Sequence, residues 1–272
     1  MEFTSTVLTL ELRGAVATLW LDRQEQRNAM GQAFWEDLPR AAAALRDARD
    51  VRVLVVAARG PHFTVGLDLK EMAGSLLSSG EQASPAQRNA ARYDAVRTMQ
   101  QAVNSIADLP FPVIAAVHGY CIGGGVDLIC ACDIRLAAPS ATFSVRETKV
   151  AIVADLGTLQ RLPRIIGAGH VAELAYTGMD VDAERAAAIG LVNHVTGDDV
   201  VADAYELAER IAANSPLAVQ GTKAVLAAND GRTVREGLEF VANWNTLYLR
   251  SDDLAEAMNA FIERRPPTFA GR

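Results

Sequence analysis

Residues 113–128 read VIAAVHGYCIGGGVDL and contain the feature on which the fold depends. The five apolar residues at the start predict a buried strand, and the apolar run after the three glycines predicts a helix. Glycine permits positive φ and lets a ligand approach the backbone closely. The free N–H groups at the start of that helix, with a partial charge of about half a unit, suit an oxyanion or a phosphate. A tight strand-to-helix turn without a ligand remains open as the alternative.

A second stretch of the same kind is HFTVGLDLK at residues 62–70. It follows a predicted buried strand at 51–57 and passes through Gly66 into alternating polar and apolar residues. Two loops at strand ends could supply two backbone N–H donors to one oxygen, which is the usual device for stabilising an oxyanion. Taken singly, this loop is better explained as structural.

The rest of the chain divides into a mixed part and a helical part. Val7–Leu12 and Val16–Leu21 alternate with period two around Arg13-Gly14, which predicts a hairpin. The further predicted elements are a helix at 32–48, a loop at 74–87, a helix from there to about 107, and strands at 113–117 and 134–137. From about Thr158 onward the pattern is almost wholly helical. The sequence therefore predicts an α/β core followed by an α-helical C-terminal region. We place the two parts at 1–199 and 200–272.

Composition excludes several classes of protein. The chain has 272 residues, half of them apolar, and a net charge of −7. This balance argues against a disordered chain and against nucleic-acid binding through a basic surface. No apolar stretch approaches the ~20 residues of a membrane helix, and the first residues do not resemble a secretory signal. The chain ends in Ala-Gly-Arg, which is not a peroxisomal signal. We therefore expect a soluble, cytoplasmic protein without a membrane partner.

The cysteines do not predict a disulfide or a metal site. Cys121, Cys130 and Cys132 are an odd number of thiols within one apolar stretch. No second pair of Cys or His residues stands at ligand spacing. We therefore expect buried, reduced side chains and no metal.

Three carboxylates stand in apolar surroundings: Asp127, Glu147 and Asp155. A carboxylate in such a run is paired, caps a helix, or is an acid or base with a shifted pKa. Asp155 precedes a predicted helix start at Gly157-Thr158, so capping is a strong alternative there.

Together these residues resemble the crotonase (enoyl-CoA hydratase/isomerase) superfamily over nearly the whole chain. Four motifs carry the resemblance: RNAM at 27–30, FTVGLD at 63–68, GGG at 123–125 and AFIERR at 260–265. The resemblance implies a β/α superhelical (ββα) core at 1–199 and an α-helical C-terminal trimerisation region. It also implies an oxyanion hole formed by the N–H groups of Val65 and Gly124, and a homotrimer or a dimer of trimers.

The acids distinguish members of the superfamily. Hydratases carry Glu at the positions of Asp127 and Glu147 and Gly at the position of Asp155. The acids of this chain instead resemble those of the Δ3,5-Δ2,4-dienoyl-CoA isomerases. That resemblance implies isomerisation of 3,5-dienoyl-CoA to 2,4-dienoyl-CoA in fatty-acid β-oxidation. Our hypothesis assigns Glu147 as the base at C2, Asp155 as the acid at C6, and Asp127 as support for Glu147. The alternatives are an enoyl-CoA hydratase and a non-catalytic CoA-ester- or RNA-binding relative.

The substrate itself brings the coenzyme A, so the resemblance implies no separate cofactor. Cationic side chains would bind the CoA phosphates. By motif position the candidate CoA-binding residues are Arg27, Ala29, Asp68, Lys70 and Arg264. A solvated surface charge is the alternative for each of the cations.

Overall fold

The computed structural model describes residues 3–77 and 84–272. The strands are β1 Leu8–Arg13, β2 Val16–Leu21, β3 Val53–Ala58, β4 Val113–Val117, β5 Tyr120–Ile122, β6 Ile134–Ala137, β7 Thr142–Ser144, β8 Val181–Asp182 and β9 His194–Val195. The α-helices are α1 Gln32–Asp47, α2 Leu69–Leu77, α3 Pro85–Ala107, α4 Gly124–Cys130, α5 Thr158–Ile165, α6 Ala168–Thr177, α7 Ala183–Ala188, α8 Val200–Ala212, α9 Pro216–Ala228, α10 Val234–Tyr248 and α11 Asp252–Glu263. The α/β core and the helical C-terminal region were both expected.

The strands form two sheets. The larger has the order β1-β2-β3-β4-β6-β9, antiparallel between β1 and β2 and parallel elsewhere. The smaller has the order β5-β7-β8, with β5 and β7 parallel. Since β4 belongs to one sheet and β5 to the other, residues 118–119 connect the two sheets.

The central strand β3 is buried on both faces. Leu54 and Val56 pack into the larger hydrophobic core, whereas Val53 and Val55 pack into a second cluster that includes apolar residues of α8. A strand covered on both faces is typical of parallel sheets. The predicted boundary between residues 199 and 200 therefore does not separate two packing units, because α8 covers one face of the core sheet.

Two local predictions differ from the structure. A loop was expected at 74–87, but α2 extends to Leu77 and α3 begins at Pro85. Residues 78–83 of the expected loop lie outside the described residues. The short strands β8 and β9 fall within the part expected to be helical. With two residues each, they are too short to show a period in the sequence.

Arg135 joins β6 to the following segments from a buried position. Its Nε donates to the Leu191 carbonyl oxygen (2.8 Å), and its Nη1 donates to the Cys132 carbonyl oxygen (2.9 Å). Buried carbonyl groups deprived of a donor are destabilising.

We expect Arg135→Leu to lower the free energy of unfolding by about 2–4 kcal/mol, since two buried carbonyl groups lose a charged donor. Urea denaturation followed by circular dichroism measures the change. The matched control is Arg210→Leu on the exposed side of α8, for which the change should stay within about 0.5 kcal/mol. Equal losses in the two variants would contradict this role for Arg135.

Candidate active site

The two glycine-containing loops predicted from the sequence lie side by side and are joined by backbone hydrogen bonds. The Phe63 N–H donates to the His118 carbonyl oxygen (2.9 Å), and the Thr64 N–H donates to that of Tyr120 (2.8 Å). In return, the Ile122 N–H donates to the Thr64 carbonyl oxygen (3.1 Å). These bonds fix the segment that follows β3 against the segment that follows β4.

Glycine is required where the loops meet. Gly66 has φ +82°, and a Cβ atom there would lie 2.6 Å from the Ile122 carbonyl oxygen and 3.4 Å from the Gly124 nitrogen. A side chain would push the loops apart. Gly123 has φ +54° and turns the chain into α4. Both conformations are strained for residues with a side chain.

The backbone donors at this junction differ from those expected. The Val65 N–H already donates to the Arg27 carbonyl oxygen (3.2 Å), so Val65 is not available as an oxyanion donor. Among the described residues, no acceptor bonds the N–H of Leu67 or that of Gly124. Both residues border the same cavity. The N–H groups available to an oxyanion are therefore those of Leu67 and Gly124, and not those of Val65 and Gly124. The signal that could have indicated Leu67 is Gly66, whose positive φ turns the backbone between residues 65 and 67.

The acyl cavity, as we call the space bordered by Leu67, Gly124 and the three candidate acids, has a volume of about 220 Å³. Most of its wall is apolar. The large apolar side chains that line it are Trp35, Val65, Leu67, Leu69, Val96, Met99, Ile122, Val150, Ile152 and Leu156. An apolar wall with a few polar groups at one place is typical of a small-molecule site.

Asp127 is buried on α4, with 1% of its surface exposed. Its Oδ1 accepts a hydrogen bond from the Thr158 N–H (2.6 Å), the first residue of α5. Burial raises the pKa of Asp127 to about 6, and the charge of Asp155 adds to the effect while the bond from Thr158 opposes it. Asp127 therefore satisfies the N-terminus of α5 and borders the cavity at the same time.

Glu147 begins a short 3₁₀ helix, Glu147–Val150, after β7. Its Oε2 is buried and has no hydrogen-bond partner within residues 3–77 and 84–272. Burial raises the pKa of Glu147 to about 7, and the charges of Asp127 and Asp155 raise it further. A carboxylate with a free oxygen and a pKa near neutrality is suited to accept a proton.

Asp155 borders the same cavity but does not cap α5. The residue at the N-cap is Gly157, and the helix N-terminus is bonded by Asp127 instead. Among the described residues, no other residue donates a hydrogen bond to the Asp155 carboxylate. Burial raises the pKa of Asp155. The capping alternative for Asp155 is therefore wrong, and its side chain is left without a structural partner.

The candidate CoA-binding residues differ in their exposure and in the partners that they already have. Arg27 and Lys70 are exposed, and Arg27 has φ +53°. Asp68 is unsuitable, because its carboxylate pairs with Arg23 (2.9 Å) and accepts the N–H groups at the start of α2. Ala29 accepts a bond from Arg23 through its carbonyl oxygen. Arg264 ends α11 in an exposed left-handed conformation and does not border the acyl cavity.

Comparisons with known proteins agree with the fold. The family described as enoyl-CoA hydratase/isomerase matches residues 11–272. The mitochondrial Δ(3,5)-Δ(2,4)-dienoyl-CoA isomerase of Dictyostelium discoideum is 42% identical over 93% of this chain and 87% of its own. The peroxisomal enzyme of that name from Arabidopsis thaliana is 41% identical over 98% of this chain and 97% of its own. The crystal structure of enoyl-CoA hydratase from Bacillus anthracis superposes with a TM-score of 0.89 at 32% identity, covering 98% of this chain and all of that one.

The chain belongs to the enoyl-CoA hydratase/isomerase family. The expectation of a cytoplasmic location is contradicted by the relatives, since the two isomerases are named as mitochondrial and peroxisomal proteins. Within residues 3–77 and 84–272, no helix has both the length and the apolar character to span a membrane. The same residues contain no group of three or more His, Cys, Asp or Glu side chains suited to a metal ion.

We expect Glu147→Gln to stabilise the protein at pH 8. The folded-state pKa of about 7 lies above the ordinary value of 4.5, so the folded protein binds more protons and loses stability as pH rises through this window. At pH 8 the neutral amide should raise the free energy of unfolding by about 1–3 kcal/mol.

Urea denaturation at pH 8 and at pH 4.5 checks this, with Glu206→Gln on the exposed side of α8 as the control. The gain should shrink at the lower pH, where Glu147 is protonated in the folded protein and half protonated in the unfolded chain. A gain that is independent of pH would show that the carboxylate is not destabilising in its ionised form.

Proposed function

We propose that this chain isomerises 3,5-dienoyl-CoA to 2,4-dienoyl-CoA in fatty-acid β-oxidation. The isomerases that are 41–42% identical over most of the chain carry out the reaction that their names state. The observation that carries the proposal is the set of three acids with raised pKa values around one apolar cavity. An acyl-CoA thioester is the substrate.

The thioester oxygen is held by Leu67 and Gly124. Removal of a proton from C2 produces a dienolate whose charge spreads onto that oxygen. The two unpaired N–H groups lie in the loops that the backbone ladder holds together, so they need no rearrangement when the charge develops. Each donor of this kind typically lowers the barrier by about 3 kcal/mol.

Two carboxyl groups move the protons. Glu147 removes the proton at C2 through its unpartnered Oε2, and protonated Asp155 delivers a proton at C6. Burial, together with the charge of Asp127, keeps the pKa of Glu147 high, which makes Glu147 a better proton acceptor. The reaction breaks a C–H bond at C2, shifts the two double bonds and forms a C–H bond at C6 without net oxidation or reduction, so it requires no redox cofactor.

The CoA portion is bound at the rim of the site. Arg27 and Lys70 are exposed cations that can pair with its phosphates. Arg27 lies beside the junction, since its carbonyl oxygen accepts the Val65 N–H. We leave Asp68 out of this set, because its carboxylate is occupied and would repel a phosphate.

We also infer that the chain assembles through its C-terminal helices into a trimer or a dimer of trimers. Several large apolar side chains on these helices and the turns between them are exposed: Leu226, Val234, Leu238, Leu247, Leu249, Met258, Phe261 and Ile262. An apolar surface of this kind marks a protein–protein interface.

The variant Asp155→Asn tests the proton transfer at C6 separately from the proton transfer at C2. We expect formation of the 2,4-diene, followed by ultraviolet absorbance, to fall by at least about 10²-fold, since the acid at C6 is lost. Exchange of the C2 hydrogen with D2O should persist because Glu147 is intact, and binding of the CoA ester should be unchanged. Asp94→Asn on the exposed part of α3 is the matched control.

Three outcomes would change this assignment. Wild-type turnover in Asp155→Asn would remove Asp155 from the reaction. Loss of C2 exchange in Asp155→Asn, with exchange retained in Glu147→Gln, would reverse the two roles. Fast hydration of a 2-enoyl-CoA by the wild-type protein, without any diene formation from the 3,5-dienoyl ester, would make the protein a hydratase.

For the assembly, Phe261→Glu should lower the mass measured by light scattering from a multiple of three times 29.1 kDa toward the mass of one chain. The side chain is 81% exposed in the single chain, so the substitution leaves the fold of the chain intact. Asn89→Glu on α3 is the control and should keep the wild-type mass. A single-chain mass for the wild-type protein would overturn the inference.

A further inference from the structure

Asp155 borders a second opening besides the acyl cavity. We call this opening the rear cleft, and it is lined by Gln100, Asn104, Asp155, Leu156, Gly157, Gln160, Arg161 and Arg164. Asp155 and Leu156 are the residues that border both spaces. The other two acids, Asp127 and Glu147, border the acyl cavity and not the rear cleft. Asp155 therefore lies between the acyl cavity and a separate route to solvent.

The rear cleft is suited to water. Its volume is about 360 Å³, and a water molecule takes up roughly 30 Å³ in the liquid. Its wall contains two carboxamides of α3 and the side chains of Gln160, Arg161 and Arg164 on α5, whereas the wall of the acyl cavity is mainly apolar. Polar groups of this kind provide the partners that ordered water needs.

The walls of the rear cleft are joined by side-chain hydrogen bonds between α3 and the segment around Asp155. Gln100 Nε2 donates to the Asp155 carbonyl oxygen (2.6 Å), and Arg161 Nη2 donates to Asn104 Oδ1. Both bonds use groups other than the Asp155 carboxylate. They fix the position of the backbone there, while the carboxylate stays free of any donor from another described residue.

After each turnover of the proposed isomerisation, the two catalytic carboxyl groups are not in the protonation states that the next turnover requires. Glu147 gains the proton from C2 and Asp155 loses the proton that goes to C6, so Asp155 must regain one before the next reaction. We propose that water in the rear cleft supplies the proton that Asp155 needs, which makes Gln160 and Asn104 part of a proton-entry path. Glu147 releases the C2 proton to solvent after the product leaves the acyl cavity, so each turnover takes up one proton and gives one back. This inference rests on the proposed function, and it adds the source of the proton.

The test uses 3,5-dienoyl-CoA carrying deuterium at C2, supplied at saturating concentration in ordinary water. If Asp155 takes its proton from solvent, the 2,4-diene carries no deuterium at C6 over many turnovers. If the proton removed by Glu147 is passed inside the closed site to Asp155, deuterium appears at C6. That second result in the wild-type protein overturns the proposal.

A variant that fills the rear cleft provides an independent readout. Gln160 is exposed on α5, so Gln160→Trp should fold and place a large apolar side chain in the cleft. We expect kcat to fall by about tenfold or more, with exchange at C2 and the Kd for the CoA ester unchanged and with deuterium now detectable at C6. Gln101→Trp, exposed on α3 and outside the cleft, should behave as wild type.

The two failures are distinguishable. Absence of diene formation by the wild-type protein refutes the proposed function. Diene formation by the wild-type protein, together with unchanged kcat and labelling in Gln160→Trp, refutes the proton path alone.

Discussion

The short backbone ladder between residues 63–64 and 118–122 is the interaction on which the rest of the site depends. It joins the segment after one parallel strand to the segment after its neighbour. A side chain at Gly66 would meet the Ile122 carbonyl oxygen at 2.6 Å, so the loops approach each other as closely as glycine permits. In the described part of the chain, the N–H groups of Leu67 and Gly124 have no acceptor and lie beside one cavity, where the hydrogen bonds of the ladder hold them in place.

The same cavity concentrates negative charge in apolar surroundings. Burial raises the pKa of each of the three acids, and Asp127 and Asp155 together disfavour the ionised form of Glu147. The protein thereby holds acids that are ready to exchange protons near neutral pH. The arrangement lowers the free energy of unfolding at neutral pH, because uncharged Asn or Gln side chains would be buried at the same positions at a lower cost. Active sites commonly show this trade-off between stability and activity.

Sequence patterns predicted five strands of the larger sheet, the glycine loops and the three acids, because each depends on local periodicity, on glycine or on an isolated polar residue in an apolar run. They failed where a contact joins distant parts of the chain. Asp68 is a helix cap paired with Arg23, 45 positions away. The helix start at Thr158 is bonded by Asp127 rather than by nearby Asp155. Leu67 was missed because the direction of its N–H depends on the positive φ of Gly66. The assigned roles of the acids stay predictions.

The double use of Asp127 constrains how such a site can diverge. Its carboxylate borders the acyl cavity and also holds the first N–H of α5, the helix that follows Asp155 and lines the rear cleft. A side chain at position 127 without an acceptor atom would leave the Thr158 N–H without this partner. A substitution at residue 127 therefore acts on the start of α5 as well as on the acyl cavity, so a lineage that exchanges one acid set for another changes both features at once.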